Sequence, residues 1–367
     1  MIDQMKGLYV HIPFCAHICH YCDFVKRVPK DDDMIDHYLD RLLEEIQLYH
    51  AHMSSIQTIY IGGGTPSMLS VGQLEKLFEG LKDISPIEYT IEVNPESYHP
   101  DKGILFKKYG VNRVSLGVQT FNQTILKTLN RKHTNDDVYN AINHLKSIGI
   151  SNISVDLIYG LPKQTMDDLD FDLKEINRLD IPHVSCYSLI LEEKTVFYHQ
   201  YLKGNFKPIS EDLEAMMYQK VMEDLKQFGY QHYEISNFAK HNLVSNHNLI
   251  YWNNTDYIGV GLGAHGYLEG FRTHNHRHLP AYEKAFTEHR FLVSTDEKMR
   301  DELIFGLRKL EGVSLKTFKE TYHKDLFELF PSLKEKIDLG LVEIVDDMLK
   351  LTYQGLFLGN QVFMVFI

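Results

Sequence analysis

Between residue 7 and about residue 190 the chain repeats one unit six times, a short apolar strand followed by a loop and an amphipathic helix. No other feature restricts its fold so strongly. Strands are expected at 7–12, 57–61, 88–93, 113–116, 153–158 and 184–189. Helices are expected between them at 34–49, 71–82, 101–109, 122–129, 135–147 and 165–178. Parallel strands need crossovers, and right-handed crossovers lay the helices over the sheet. The expected class is therefore α/β, a partial TIM-like (β/α) barrel of six units, whose chemistry belongs at the C-terminal strand ends.

Past residue 190 the rhythm changes. A long helix at 209–228 and a strand at 233–235 lead into a stretch rich in Asn, His and Gly from 237 to 278, expected to be irregular and functional. Helices at 280–288, 297–309, 315–322 and 332–338 then precede two short strands at 342–345 and 349–352, a pattern similar to a winged helix. The expected division is 1–236 for the barrel, 237–280 for the irregular segment and 281–367 for a small helical, winged-helix-like domain. Winged helices often bind nucleic acid, but 38 basic against 50 acidic residues give a net charge of -12, which repels a phosphate backbone. No run approaches the roughly 18 apolar residues of a membrane span, and the opening MIDQMKGLYVHIPF lacks the layout of an export signal. A cytoplasmic protein is expected. The apolar tail at 362–367 is expected to pack into the C-terminal domain, with peripheral membrane contact as the alternative.

Three of the four cysteines, Cys15, Cys19 and Cys22, fall within eight positions just after the first strand. Thiolates so spaced can hold three corners of a 4Fe-4S cluster and leave one iron open. The amino and carboxylate groups of S-adenosylmethionine can chelate that iron, and an electron from the cluster can then split the sulfonium to a carbon radical. The competing reading is a closed zinc site completed by His17 or His20. Cys186, in VSCYSLI, reads as a small buried hydrophobe.

The CxxxCxxC run after the first strand of a βα array resembles the signature of the radical S-adenosylmethionine superfamily. Other residues fall where that resemblance expects them, at or near strand ends: Gly62, Gly63, Gly64 and Thr65 after strand two, and Glu92 and Asn94 at the end of strand three. Gln119 follows strand four, Arg131 lies in LNRKHT, and Asp156 lies in strand five. The resemblance implies that Gly63, Gly64 and Thr65 contact the methionine moiety and that Glu92 contacts the ribose or adjoining polar groups. It gives Gln119, Arg131 and Asp156 the sulfonium, carboxylate and sugar regions.

Within the superfamily, GLYVHIPFC, YIGGGTPS, RVSLGVQTF, DLIYGLP, GYQHYEISNFA and LTYQGLFLGNQVF resemble the relatives of oxygen-independent coproporphyrinogen III oxidase. The oxidase carries a further cysteine two residues past the third and a longer N-terminal segment; here that position is Phe24. The heme-chaperone branch carries H-N-x-x-Y-W, and the sequence reads His247-Asn248-Leu249-Ile250-Tyr251-Trp252. That resemblance implies binding of heme and its transfer to acceptor proteins, those of respiration among them. His247 is then expected as an axial ligand, Tyr251 and Trp252 as a flat wall, and Arg272 or Arg277 as partner to a propionate. His274, His276 and His278 alternate, so a strand would align them for a metal or for propionates. Radical decarboxylation of coproporphyrinogen III stays as the alternative activity. The residues leave open whether radical chemistry occurs at all, along with the oligomeric state and the second axial ligand.

Overall fold

The computed structural model describes residues 6–367. Its main sheet begins with the six expected strands: β1 (Lys6–Ile12), β2 (Ile56–Gly63), β3 (Glu88–Val93), β4 (Arg113–Gln119), β5 (Asn152–Tyr159) and β6 (His183–Ser188). Each pairs with the next in parallel. Their inward and helix-facing residues, among them Leu8, Val10, Ile59, Ile61, Ile91, Val114, Val155 and Val184, are buried in one core, as expected of a sheet covered by helices. Capping boxes at Ser70, Thr134 and Thr165 start three of the covering helices by satisfying their first free N–H groups.

Residues 237–280 depart from expectation. They form β8 (Asn237–Ala239), the helix Asn246–Trp252, β9 (Tyr257–Val260), β10 (His265–Leu268) and β11 (Phe271–Asn275). With β7 (Gln231–Glu234) and β12 (Thr287–Leu292) they widen the sheet to twelve strands in the order β12-β11-β10-β9-β1-β2-β3-β4-β5-β6-β8-β7. Strands of three to five residues are too short to show alternation, which is why the segment reads as irregular. The helix expected at 280–288 is one turn, Leu279–Tyr282, after which pairing with β11 draws Thr287–Leu292 into β12. The large sheet thus continues to Leu292.

One buried carboxylate clamps this extension to the barrel. Glu45, on the helix Asp32–Leu48, accepts hydrogen bonds from Gly261 N (2.7 Å), Asn275 Nδ2 (2.6 Å) and Tyr282 Oη (2.6 Å). Burial outweighs these bonds and pushes its carboxyl from an ordinary 4.5 up to about 6. A raised folded pKa means the contribution to stability is complete below about pH 4.5 and is lost as pH rises through about 6. Relative to Glu45→Gln, the wild type should therefore lose about 2 kcal/mol of unfolding free energy between pH 4.5 and 7.5. Paired urea titrations at the two pH values measure this; an equal difference at both would remove Glu45 from the account.

The remaining residues build a second core from Met299, Leu303, Leu307, Phe318, Leu333, Leu349, Val362 and Phe366. It is backed by a three-stranded sheet, β13 (Val313–Ser314), β15 (Met348–Leu351) and β14 (Val342–Val345), in that order. Val362 and Phe366 of the tail pack here, while Met364 and Ile367 stay exposed. No helix among the described residues is long and apolar enough to cross a membrane.

Candidate functional site

The cysteine loop leaves β1 and is clasped at its base, where Cys15 N donates to Arg27 O (3.0 Å) and Arg27 N to Pro13 O (2.7 Å). A second set of bonds pins its middle: Asn130 Nδ2 donates to Ile18 O (2.8 Å), and the His20 ring bonds Thr128 O (2.9 Å). One nitrogen of His20 is thereby spent on Thr128, and Nε2 of His17 lies 3.6 Å from Glu96. Cys15, Cys19 and Cys22 all line a cavity of about 360 Å³ at the C-terminal ends of the barrel strands. Thr65 Oγ1 donates to Cys15 Sγ (3.4 Å), and Arg131 Nη1 lies 3.9 Å from Cys19 Sγ. Burial pushes the Cys15 thiol up to about 11, so ligation must drive off its proton. Donors aimed at sulfur suit a group that makes the thiols anionic.

The same cavity is lined by Gly63, Gly64, Thr65, Glu92, Asn94, Gln119, Arg131 and Asp156. All the polar residues expected from strand ends converge there. Glu92 accepts from Tyr60 Oη (2.8 Å) and Gly63 N (3.0 Å), while burial and the Asp156 charge push its carboxyl up to about 7. Asp156 accepts from Ser115 Oγ (3.1 Å), and Arg131 Nη2 donates to Gly117 O (2.6 Å). Gln119 sits at φ 69, left-handed for a non-glycine residue, a strain that commonly gathers at binding sites. Sequence reasoning did not single out Tyr60, Arg113, Ser115, Tyr187 or Ile190, which also line the cavity. It also missed Glu96, which stands 3.6–3.7 Å from His17, Arg131 and His133. Burial raises the Glu96 carboxyl, but His133 and Arg131 outweigh it and hold it at about 2. Only the fold brings 17, 96, 131 and 133 together.

His247 departs from expectation. Its side chain is 1% exposed; Nδ1 is hydrogen-bonded with Thr58 Oγ1 (2.8 Å), Nε2 with Tyr251 Oη (2.8 Å), and the ring stacks on Tyr60. Both nitrogens are committed, so as folded it presents none to an iron. The cause is helical spacing: His247 and Tyr251 are four apart on Asn246–Trp252, which stacks them on one face. Trp252 lies instead beneath Arg308, 4.5 Å from its ring, and Arg272 pairs with Asp301 (2.6 Å). Only Tyr251 and Arg277 of the expected heme contacts meet, in a second cavity of about 290 Å³. His247→Ala would strand two buried hydroxyls and open a void, and should lower unfolding free energy by about 2–4 kcal/mol in urea titration. Unchanged stability would mean the ring is not held as described.

The metal expected of His274, His276 and His278 finds no support, because the three do not share a face. His274 stacks on His265 of β10 (4.1 Å), His276 turns to Glu288 (3.9 Å) past a register shift, and His278 begins the next helix. Among the described residues no three His, Cys, Asp or Glu side chains gather closely enough to hold one metal ion. Cys186 is buried in β6, as its setting implied.

Three thiols after the first strand of a parallel barrel, facing a cavity at the strand ends, define a radical S-adenosylmethionine protein. The sequence model of the Radical SAM superfamily matches residues 9–176, and that of the HemN C-terminal domain matches residues 293–358. Membership implies a 4Fe-4S cluster and S-adenosylmethionine. The chain belongs to the family of the heme chaperone HemW. It is 42% identical to the heme chaperone HemW of Bacillus subtilis over 99% of both chains, and 40% identical to that of Lactococcus lactis over 100% of this chain and 98% of the relative. Among solved structures it is similar to the coproporphyrinogen III oxidase HemN of Escherichia coli, described as a radical SAM enzyme. The TM-score is 0.86 at 25% identity, covering 100% of this chain and 91% of that one.

Proposed function

We propose that this protein binds heme and hands it to acceptor proteins, those of the respiratory chain among them, while carrying a 4Fe-4S cluster on Cys15, Cys19 and Cys22. S-adenosylmethionine, when bound, supplies a sulfonium open to reductive cleavage. In this reading Arg131 and Gln119 bind and orient its polar end. Gly63, Gly64 and Thr65 offer backbone and hydroxyl to its methionine moiety, and Glu92 and Asp156 accept from its sugar. Of the HNLIYW segment, Tyr251 is the part that reaches a cavity, its hydroxyl held by His247.

One observation carries the reading: the cavity at the cysteines and the aromatic-walled cavity lined by Tyr9, Tyr251 and Tyr257 share Asp23 and Phe24 as a common wall. Apolar side chains crowd the mouth, with Phe24 63%, Ile190 67% and Tyr187 42% exposed. A flat, largely apolar macrocycle gains most from such a rim. Phe24 stands where the oxidase carries its extra cysteine. We place the protein in the cytoplasm, meeting membrane-bound acceptors at the surface.

The test is transfer. Heme-loaded protein, freed of unbound heme, is mixed anaerobically with an apo b-type cytochrome, and the cytochrome spectrum is followed. Transfer faster than from albumin-bound heme is expected. Absence of transfer, together with carbon dioxide release from coproporphyrinogen III, would replace the reading by the oxidase.

A further inference from the structure

We infer that heme sits over the second cavity with the His265 imidazole as the protein ligand to its iron and the Arg277 guanidinium meeting a propionate. The inference rests on the heme-binding reading above and names the ligand within it.

Three histidines border this aromatic region, and their hydrogen bonds separate them. The His11 ring is bonded with Tyr9 Oη (2.9 Å) and with Val25 O (2.7 Å). His247 is bonded with Thr58 and Tyr251. His265 lines the cavity from β10, is exposed, and has no side-chain hydrogen bond or ion pair among the described residues. An imidazole ligand needs one uncommitted nitrogen and a fixed ring plane. His265 has both, since its ring lies against His274 at 4.1 Å between centroids and 14° between planes. His274 Nε2 is itself shut from solvent without a partner, so the stacked pair is built into the strands and not a chance surface contact.

Arg277 supplies the second half. It lines the same cavity and enters no ion pair among the described residues, in a chain with 50 acidic side chains available. A planar fork left unpaired beside an aromatic wall suits a carboxylate brought in by a ligand. Tyr251 forms part of that wall, and its hydroxyl is held by His247 Nε2. His247 is thus a positioning residue, and its motif shapes the wall.

The experiment is an anaerobic heme titration of the reconstituted full chain beside His265→Ala, Arg277→Ala and His247→Ala, reading the Soret band and the dissociation constant. His265→Ala should lose the imidazole-ligated band and bind at least about tenfold more weakly, with the band restored by added imidazole. Arg277→Ala should weaken binding about tenfold with the band unchanged, which shows that a folded variant can report. His247→Ala should keep the band while weakening binding, because Tyr251 of the wall loses the partner that holds its hydroxyl. A wild-type band that survives His265→Ala, or one that only His247→Ala removes, would overturn the assignment while leaving heme binding intact. A wild type that takes up no heme would overturn the reading itself.

Discussion

Cys19→Ala, reconstituted anaerobically with iron and sulfide, is expected to hold almost none of the iron of the wild type and to lose the visible absorbance of a cluster. The loop offers three thiols to the cavity and no spare. The fourth cysteine, Cys186, is buried in β6 with its thiol pushed up by burial, and is inert as a replacement. Loss of one corner leaves two thiolates, too few for a site-differentiated cluster. The loop should nonetheless stay folded, because Arg27, Asn130 and the His20 ring hold it through bonds that do not involve sulfur. Iron and sulfide assays beside a thermal melt separate these claims. Cys186→Ser should keep full iron. Full iron in Cys19→Ala would refute the ligand set.

Gly63→Ala is expected to cost on the order of 3–5 kcal/mol of stability and to abolish binding of S-adenosylmethionine. Gly63 has φ 108, where a side chain is strained, and a Cβ there would lie 2.3 Å from the His11 ring. That ring cannot swing aside, because Tyr9 and Val25 hold both its nitrogens. Gly63 N also donates to Glu92, so a shift of the turn would move a cavity carboxylate too. Gly72 provides the contrast: an added Cβ meets nothing within 4 Å, and Gly72→Ala in the helix Val71–Glu79 should be neutral or stabilising by up to about 1 kcal/mol. Calorimetry with and without S-adenosylmethionine reads both effects. Equal behaviour of the two variants would show that the turn tolerates bulk.

These expectations draw on what was legible in the residues and on what was not. Runs such as GLYVHI and the helices capped by Thr134 and Thr165 carry their periodicity over enough residues to announce β1 to β6 and the helices between them. Strand-end polar residues such as Glu92, Gln119 and Asp156 were legible for the same reason, since a parallel barrel sends its strand ends to one face. Strands β8 to β11 were not, because three to five residues cannot display alternation and β9, which joins β10 and β11 to the barrel, pairs with β1 over 200 residues away. Side-chain direction was also hidden. The resemblance of HNLIYW implied a histidine open to an iron, whereas Thr58 on β2 and Glu88 on β3 draw His247 and its backbone inward. The cluster around Glu96 and the His265–His274 stack arise only from three-dimensional neighbours and leave no sequence spacing to read.

The central claim, that this chain is a carrier of heme, is tested most directly by anaerobic titration of the reconstituted protein with heme, followed through the emission of Trp252, its only tryptophan. Saturable quenching to a plateau at one heme per chain, paralleled by a Soret band distinct from that of free heme, is the predicted result. Emission that declines without saturation, alongside the spectrum of free heme, would contradict the claim.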